Sequence, residues 1–227
     1  MLYITSLPQP HVYMTPQGAL QVTHIGHASL LLQLNDVIIY NDPYGEVADF
    51  TDFPKADLML ITHDHYDHLD IAELDKICTP TTTIIGTEAV AQALYGTDVL
   101  QNGDVLRWND IVISAVPAYN IHHMRPDGEP FHPKGRGNGY ILDIGGFRIY
   151  IAGDTELIPE MSLIAPPDIA FLPKDLPYTM SDDMFIEAAR VLKPKTLYPY
   201  HYFTLDKAAL QQALAKINLR TMNECLK

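Results

Sequence analysis

The sequence predicts an α/β (α+β) fold built on two β-sheets with helices on their outer sides. Three observations lead there. Short apolar runs rich in Val, Ile, Leu and Tyr recur along the chain, strongly amphipathic helical windows are few, and the order of elements is hairpin, alternating strand and helix, second hairpin, strand and helix again.

The first hairpin is "LLLQLNDVIIYND", two strands joined by Asn35-Asp36. Next come a strand at "DLMLIT", a helix over 70–77, a strand at "TTIIG" and a helix over 87–95. A strand at "DIVISAVPA" precedes residues 119–139, "YNIHHMRPDGEPFHPKGRGNG", which have no periodicity and read as one long loop. Loops of that length inside compact domains are usually functional or disordered, and three histidines favour function here. The second hairpin, "GYILDIGGFRIYIAGD", turns at Gly145-Gly146. Strands at "DIAFLP" and "TLYPY" alternate with helices over 181–192 and 206–216. No internal repeat is visible, and 227 residues are expected to form one domain, 1–227.

Composition narrows the function. Apolar residues make up 47% of the chain and charged residues 19%, which suits a globular protein and excludes disorder. No stretch approaches the roughly 20 apolar residues of a membrane span. No secretory signal is evident, so the cytoplasm is the expected compartment. The two cysteines, Cys78 and Cys225, form no CxxC, so any metal must be held by imidazole and carboxylate. A net charge of −13 counts against nucleic-acid partners and leaves a small molecule as the expected one.

"THDHYDHLD", residues 62–70, crowds three histidines and three aspartates behind the apolar run "DLMLI". Residues two apart in extended backbone face one side, so His63 and His65 can chelate one ion together. Asp67 and His68 diverge unless the backbone turns, and a turn would aim them at a neighbouring point. The spacing therefore suggests two ions close together, and imidazole with carboxylate suits zinc, iron or manganese. Asp70 reads as the cap of helix "IAELDKI".

"THDHYDHL" resembles the HxHxDH signature of the metallo-β-lactamase superfamily. "IYIAGDT" with Asp154 resembles that family's metal-bridging carboxylate, and "LYPYH" with His201 its last histidine ligand. "IGHASL" and "NDP" at 41–43 resemble its early strand motifs, so the resemblance covers nearly the whole chain in the right order. Within the superfamily the sequence looks closest to the ascorbate-6-phosphate lactonase-like group of bacterial metal-dependent hydrolases. The resemblance implies a four-layer αββα sandwich of two mixed β-sheets with helices on the outer faces. It also implies two divalent ions, Zn2+ first with Mn2+ or Fe2+ as alternatives, held by His63, His65, Asp67, His68, Asp154 and His201.

One position departs from the family. Where a third histidine usually follows the strand that reads "IVISAVPA" here, this chain has Asn120. Asn120, His122, His123 or His132 can complete the first site, and His132 in "FHPKG" is preferred because a proline-flanked histidine in a Gly-bounded loop can be presented inward. Supporting residues around the ligands are His27 and Asp42, which can orient them, and Lys134 and Arg136, which can bind an anionic substrate. His27 and Asp42 read equally well as a core histidine and a turn residue, and the two cations as solvated loop charges.

The implied chemistry is hydrolysis of a small ester, lactone or amide by a hydroxide bridged between the ions, with Asp67 as catalytic residue that holds it in line and shuttles its proton. No GxSxG elbow offers a rival nucleophile. The alternatives are a phosphodiesterase or phospholipase-D-like hydrolase, and a non-catalytic metal-binding protein with an incomplete first site. Substrate, metal identity and oligomeric state are left open.

Overall fold

The computed structural model describes residues 3–221. Met1 and Leu2 of the segment read for a secretory signal, and Cys225 of the cysteine pair, lie outside the described residues. Contacts divide the chain into a first unit ending at Gln101 and a second unit, Asn102–Thr221.

Seven strands of the first unit lie in chain order across one mixed sheet: β1 (His11–Thr15), β2 (Gly18–Gly26), β3 (Ser29–Leu34), β4 (Val37–Asn41), β5 (Leu58–Leu60), β6 (Thr83–Gly86) and β7 (Thr97–Val99). β1 to β4 form an antiparallel meander, and β4 to β7 run parallel. The second unit has seven more in order: β8 (Val105–Trp108), β9 (Ile111–Ala118), β10 (Gly137–Ile144), β11 (Phe147–Ile151), β12 (Ile169–Pro173), β13 (Thr196–Tyr200) and β14 (Asn218–Leu219). Here β8 to β11 are antiparallel and β11 to β14 parallel. Two mixed seven-stranded sheets with helices are the expected fold class, and the two units repeat a topology that the sequence does not repeat.

Both hairpins turn where expected. Asn35 joins β3 to β4 at φ +53°, and Gly145 and Gly146 join β10 to β11 at +63° and +99°. These are left-handed values that asparagine and glycine tolerate best. The helices begin at side-chain caps. Asp70 accepts from Glu73 N before α1 (Ile71–Ile77), and Thr87 from Val90 N before α2 (Glu88–Ala93). Ser181 accepts from Met184 N before α3 (Asp182–Leu192), and Asp206 from Ala209 N before α4 (Lys207–Ala213). Each satisfies one of the donors that a helix leaves unpaired at its start.

Each unit packs its helices on its own sheet. Leu74 and Ile77 of α1 and Val90 of α2 join Leu31, Tyr40, Met59 and Ile61 in one core. Phe185, Ala188, Ala189 and Leu192 of α3 and Leu210 of α4 join Tyr150, Ala170, Leu172 and Leu197 in the other. Burying a side chain such as Phe185 stabilises by roughly 1.5–3 kcal/mol.

Sequence patterning missed β1, β7, β8 and β14, and of β2 it reached only the end, through "IGHASL". β7 and β14 are two or three residues long, and β1 and β8 sit at or near a sheet edge with every second residue exposed. The long loop is also shorter than expected, because "GNG" opens β10. A Cβ at Gly139 would lie 2.9 Å from Ile151 O and 2.8 Å from Ala152 O, so glycine marks close backbone approach inside the sheet.

Candidate metal centre

In the first unit the polar residues gather at the carboxyl ends of β4 and β5, where parallel strands of an α/β sheet commonly bind ligands. Asp42 follows β4 and is fully buried. Its Oδ1 accepts from Thr62 N at 2.8 Å, and its Oδ2 from Thr62 Oγ1 at 2.6 Å and His68 Nδ1 at 2.8 Å. A carboxylate on Nδ1 leaves Nε2 as the nitrogen with which His68 could hold a metal. Thr62 Oγ1 gives its hydrogen to Asp42, so it accepts from His63 Nδ1 at 3.0 Å. His63 Nε2 then faces His65 Nδ1, also at 3.0 Å.

The backbone turns after His65, whose carbonyl accepts from His68 N at 3.0 Å and Leu69 N at 2.8 Å. That turn brings Asp67 Oδ2 to 3.0 Å from His27 Nε2 and 3.9 Å from His68 Nε2. His27, Asp67 and His68 each offer one donor atom within 4.8 Å of the others. Tyr44 packs 5.6 Å from the His27 ring, and the exposed Tyr66 packs edge-on to Tyr44 at 6.1 Å. His24 is buried, with Nε2 3.0 Å from His27 O, and burial pulls its pKa down to about 4.

In the second unit Asp154 follows β11, Asp175 follows β12 and His201 follows β13, again at carboxyl ends of parallel strands. Asp154 Oδ2 lies 3.1 Å from His201 Nε2 and 3.3 Å from His132 Nε2. All three residues are buried. Asp175 places Oδ2 3.7 Å from His201 Nδ1, on the side of the ring away from Asp154. Asn120, after β9, touches His132 twice: its Oδ1 accepts from His132 N at 2.9 Å and from His132 Nδ1 at 2.7 Å.

Glu156, fully buried, was not anticipated. Its carboxylate accepts from three successive backbone groups, Ile121 N at 2.8 Å, His122 N at 2.7 Å and His123 N at 2.6 Å, and from Asn120 Nδ2 at 3.1 Å. Burial pushes this carboxyl up, but the Asn120 amide and the three N–H groups outweigh it and hold the group below the ordinary carboxylate range. Neither Glu156 nor Asp175 carries a spacing signal of its own. Asp175 stands two residues and Glu156 five residues beyond a strand end, and only the fold gives each a partner.

His122 is exposed, while His123 Nδ1 lies 2.7 Å from Glu156 Oε1 and 3.1 Å from Thr179 O. Lys134 is matched by Glu160 at 2.6 Å and lies over the Tyr119 ring at 4.7 Å, so its charge is already paired. Arg136 is exposed at the end of the loop.

The donor sets fit divalent ions. Ligands on a tetrahedral ion with bonds of about 2.0–2.1 Å stand roughly 3.3 Å apart. His132 Nε2 and Asp154 Oδ2 at 3.3 Å, Asp154 Oδ2 and His201 Nε2 at 3.1 Å, and His63 Nε2 and His65 Nδ1 at 3.0 Å are close to that value. Backbone strain collects here too. Of the six non-glycine residues with positive φ among those described, His27 (+48°), Asp42 (+42°) and His201 (+48°) belong to these clusters. The other three are Asn35, Asn109 and Lys193, of which Asn35 is a hairpin residue and Lys193 a helix cap. Strain of about 1–3 kcal/mol per residue persists where surrounding contacts demand the conformation.

Comparison with known proteins agrees with this chemistry. The family described as the Beta-lactamase superfamily domain matches residues 21–201. A UPF0173 metal-dependent hydrolase of Thermus thermophilus is 33% identical over 81% of this chain and 84% of its own length. One from Archaeoglobus fulgidus is 31% identical over 82% of this chain and 84% of its own. A crystal structure of a candidate metal-dependent hydrolase from Parabacteroides distasonis is 44% identical, with a TM-score of 0.89 over 94% of this chain and 98% of that one. With the match running from β2 through His201, the chain belongs to the metallo-β-lactamase superfamily, in its UPF0173 metal-dependent hydrolase family.

Proposed function

We propose that this protein is a metal-dependent hydrolase of small esters, lactones or amides, working with two divalent ions, zinc first. The ligands proposed are His63, His65, Asp67 and His68 of the first unit and His132, Asp154 and His201 of the second. The observation that carries the proposal is the Asp154 carboxylate oxygen standing 3.3 Å from His132 Nε2 and 3.1 Å from His201 Nε2, the spacing of ligands around a common cation. When bound, such ions would lower the pKa of water to about 7 and polarise the substrate carbonyl.

The chain's own residues divide the remaining work. Asp67 takes the proton of the attacking water on its carboxylate. His27 Nε2–H donates to Asp67 Oδ2 at 3.0 Å and fixes the direction of that carboxylate. Asp42 and Asn120 fix the tautomers of His68 and His132. Tyr66, exposed beside Asp67 and braced by Tyr44, offers an apolar wall to the leaving group. The ascorbate-6-phosphate lactonase-like group remains the proposed branch, the cytoplasm the proposed compartment and 1–227 the proposed single domain. The acidic balance of −13 supports a small-molecule substrate over nucleic acid.

The test is a metal count by plasma emission, paired with turnover of a lactone panel and of bis(p-nitrophenyl) phosphate. About two ions per chain and lactone turnover lost on chelation and in Asp67→Ala are expected. Preference for the phosphodiester would move the activity to the phosphodiesterase reading. Turnover indifferent to both chelation and Asp67→Ala would sink the mechanism.

A further inference from the structure

We infer that Asn120 is a positioning residue whose amide, locked by Glu156, commits His132 to a single tautomer with Nδ1 protonated and Nε2 offered to the metal. The inference rests on His132 being a ligand, as proposed above, and adds what makes it one.

Asparagine oxygen and nitrogen look alike, so the amide's orientation has to come from its neighbours. Here the neighbours decide it. Asn120 Nδ2 lies 3.1 Å from Glu156 Oε1 and 2.9 Å from Tyr178 O, a carboxylate and a carbonyl that only accept. On its other side, Asn120 Oδ1 lies 2.9 Å from the backbone N–H of His132, which only donates. Reversing the amide would set an NH2 against an N–H and an oxygen against two acceptors, in a side chain only 5% exposed. Oδ1 is therefore an acceptor, and His132 Nδ1, 2.7 Å from it, must carry a hydrogen.

In a neutral imidazole that leaves the lone pair on Nε2, the atom 3.3 Å from Asp154 Oδ2. Two acceptors facing each other at that distance repel unless a proton or a metal ion lies between them, and the locked tautomer suits the pair to the metal. Asn120 N also donates to His132 O at 2.9 Å, so the two residues are paired by backbone and side chain together.

Glu156 is the anchor. Its carboxylate closes on the backbone N–H groups of residues 121–123, the three that directly follow Asn120, and so fixes the loop entrance as well as the amide. The resemblance to the family implies a histidine ligand at position 120. Asparagine there, with Glu156 behind it, instead turns the loop histidine into one. Tyr178 O, the second acceptor for Asn120 Nδ2, is steadied by Phe131 packing edge-on to the Tyr178 ring at 5.1 Å.

The deciding experiment reads metal binding and the tautomer, without relying on turnover. Zn2+ affinity of the full metal-free chain is measured by competition with a chromophoric chelator for wild type, His132→Ala, Asn120→Ala, Asn120→Gln and His123→Ala. His123 meets Glu156 and is not among the proposed ligands, so it serves as the control. Asn120→Ala is expected to weaken one site about 10–100-fold, the usual effect of losing a partner that orients a ligand, and His123→Ala far less. Failure of wild type to bind Zn2+, or an unaltered His132→Ala, would overturn the functional reading itself. His132→Ala weakened with Asn120→Ala unaltered would overturn only the present inference. Should Asn120→Ala not fold, a long-range 1H–15N histidine spectrum of zinc-loaded wild type decides. A protonated Nδ1 and a metal-bound Nε2 at His132 are expected, and the reverse assignment overturns the inference.

Discussion

Gly153→Ala tests how the chain delivers Asp154. Gly153 follows β11 at φ +68°, and an added Cβ would sit 2.6 Å from Asn138 O and 3.2 Å from the Ala118 side chain. Two costs then add. Holding alanine in the left-handed region costs about 1–2 kcal/mol. The clash is with a backbone oxygen of β10, which moves only if the strand moves, and overpacking of that kind costs about 1–3 kcal/mol. The expected loss is about 2–5 kcal/mol, a large share of the roughly 5–15 kcal/mol that holds a native protein together.

Gly146→Ala supplies the comparison, because its φ is +99° and nothing lies within 4 Å of the added Cβ. That variant loses the backbone contribution alone. Urea unfolding followed by far-UV circular dichroism measures both. With a slope near 3 kcal/mol/M, Gly153→Ala should shift the midpoint down by roughly 1 M. The zinc content of Gly153→Ala should fall as well, since Asp154 is the next residue. If Gly153→Ala unfolds no earlier than Gly146→Ala, close approach of β10 is not why glycine occupies position 153.

Two further outcomes are expected. Asp42→Asn keeps the shape of the side chain but sets an amide NH2 against His68 Nδ1, which drives the imidazole proton to Nε2; Zn2+ affinity should fall about 10–100-fold while the urea midpoint changes little, and unchanged affinity would refute the tautomer assignment. His24 has its pKa lowered from 6.5 to about 4 by burial, offset only in part by its hydrogen bond to His27 O. Below pH 6.5 the unfolded chain binds a proton that the folded one refuses, so this contribution is complete above pH 6.5 and is lost as pH falls toward 4. Its size is about 3 kcal/mol, from 1.36 kcal/mol per pKa unit. In metal-free protein, His24→Gln should flatten the fall in urea midpoint between pH 6.5 and 4.5 relative to wild type, and parallel curves would remove His24 as its source.

What the sequence disclosed and what it hid separate along physical lines. Asn35-Asp36 and Gly145-Gly146 were legible because left-handed backbone admits few residue types. The Asp70 cap was legible because an oxygen-bearing side chain must stand three residues before the N–H it accepts from. The cluster of His63, His65, Asp67 and His68 was legible because the proposed chelation by one strand end would compress donors into six positions. β7 and β8 were not, since their exposed alternate residues bury too little to leave a pattern. Asp42 had only even odds from sequence, and Glu156 had no signal, because what defines each is a partner 20 or more residues away: Thr62 and His68 for Asp42, the loop 120–123 for Glu156.

The supporting residues also explain why the donor clusters can stay buried. His68 Nδ1 faces Asp42, His63 Nδ1 faces Thr62 Oγ1, His132 Nδ1 faces Asn120 and His201 Nδ1 points toward Asp175. The first three rings are held through Nδ1 by a hydrogen bond, so that Nε2 is their outward atom. Choosing the tautomer during folding removes a rearrangement that metal binding would otherwise have to drive. The partners differ in charge, however. A carboxylate behind His68 raises the basicity of its Nε2, whereas the neutral amide behind His132 cannot do so to the same degree. The charge placed behind the proposed ligands is therefore uneven, with His68 the more electron-rich donor and His132 the weaker. The same asymmetry accounts for Glu156: a neutral asparagine can only orient a ligand, and it orients one reliably because a buried carboxylate holds its amide in place.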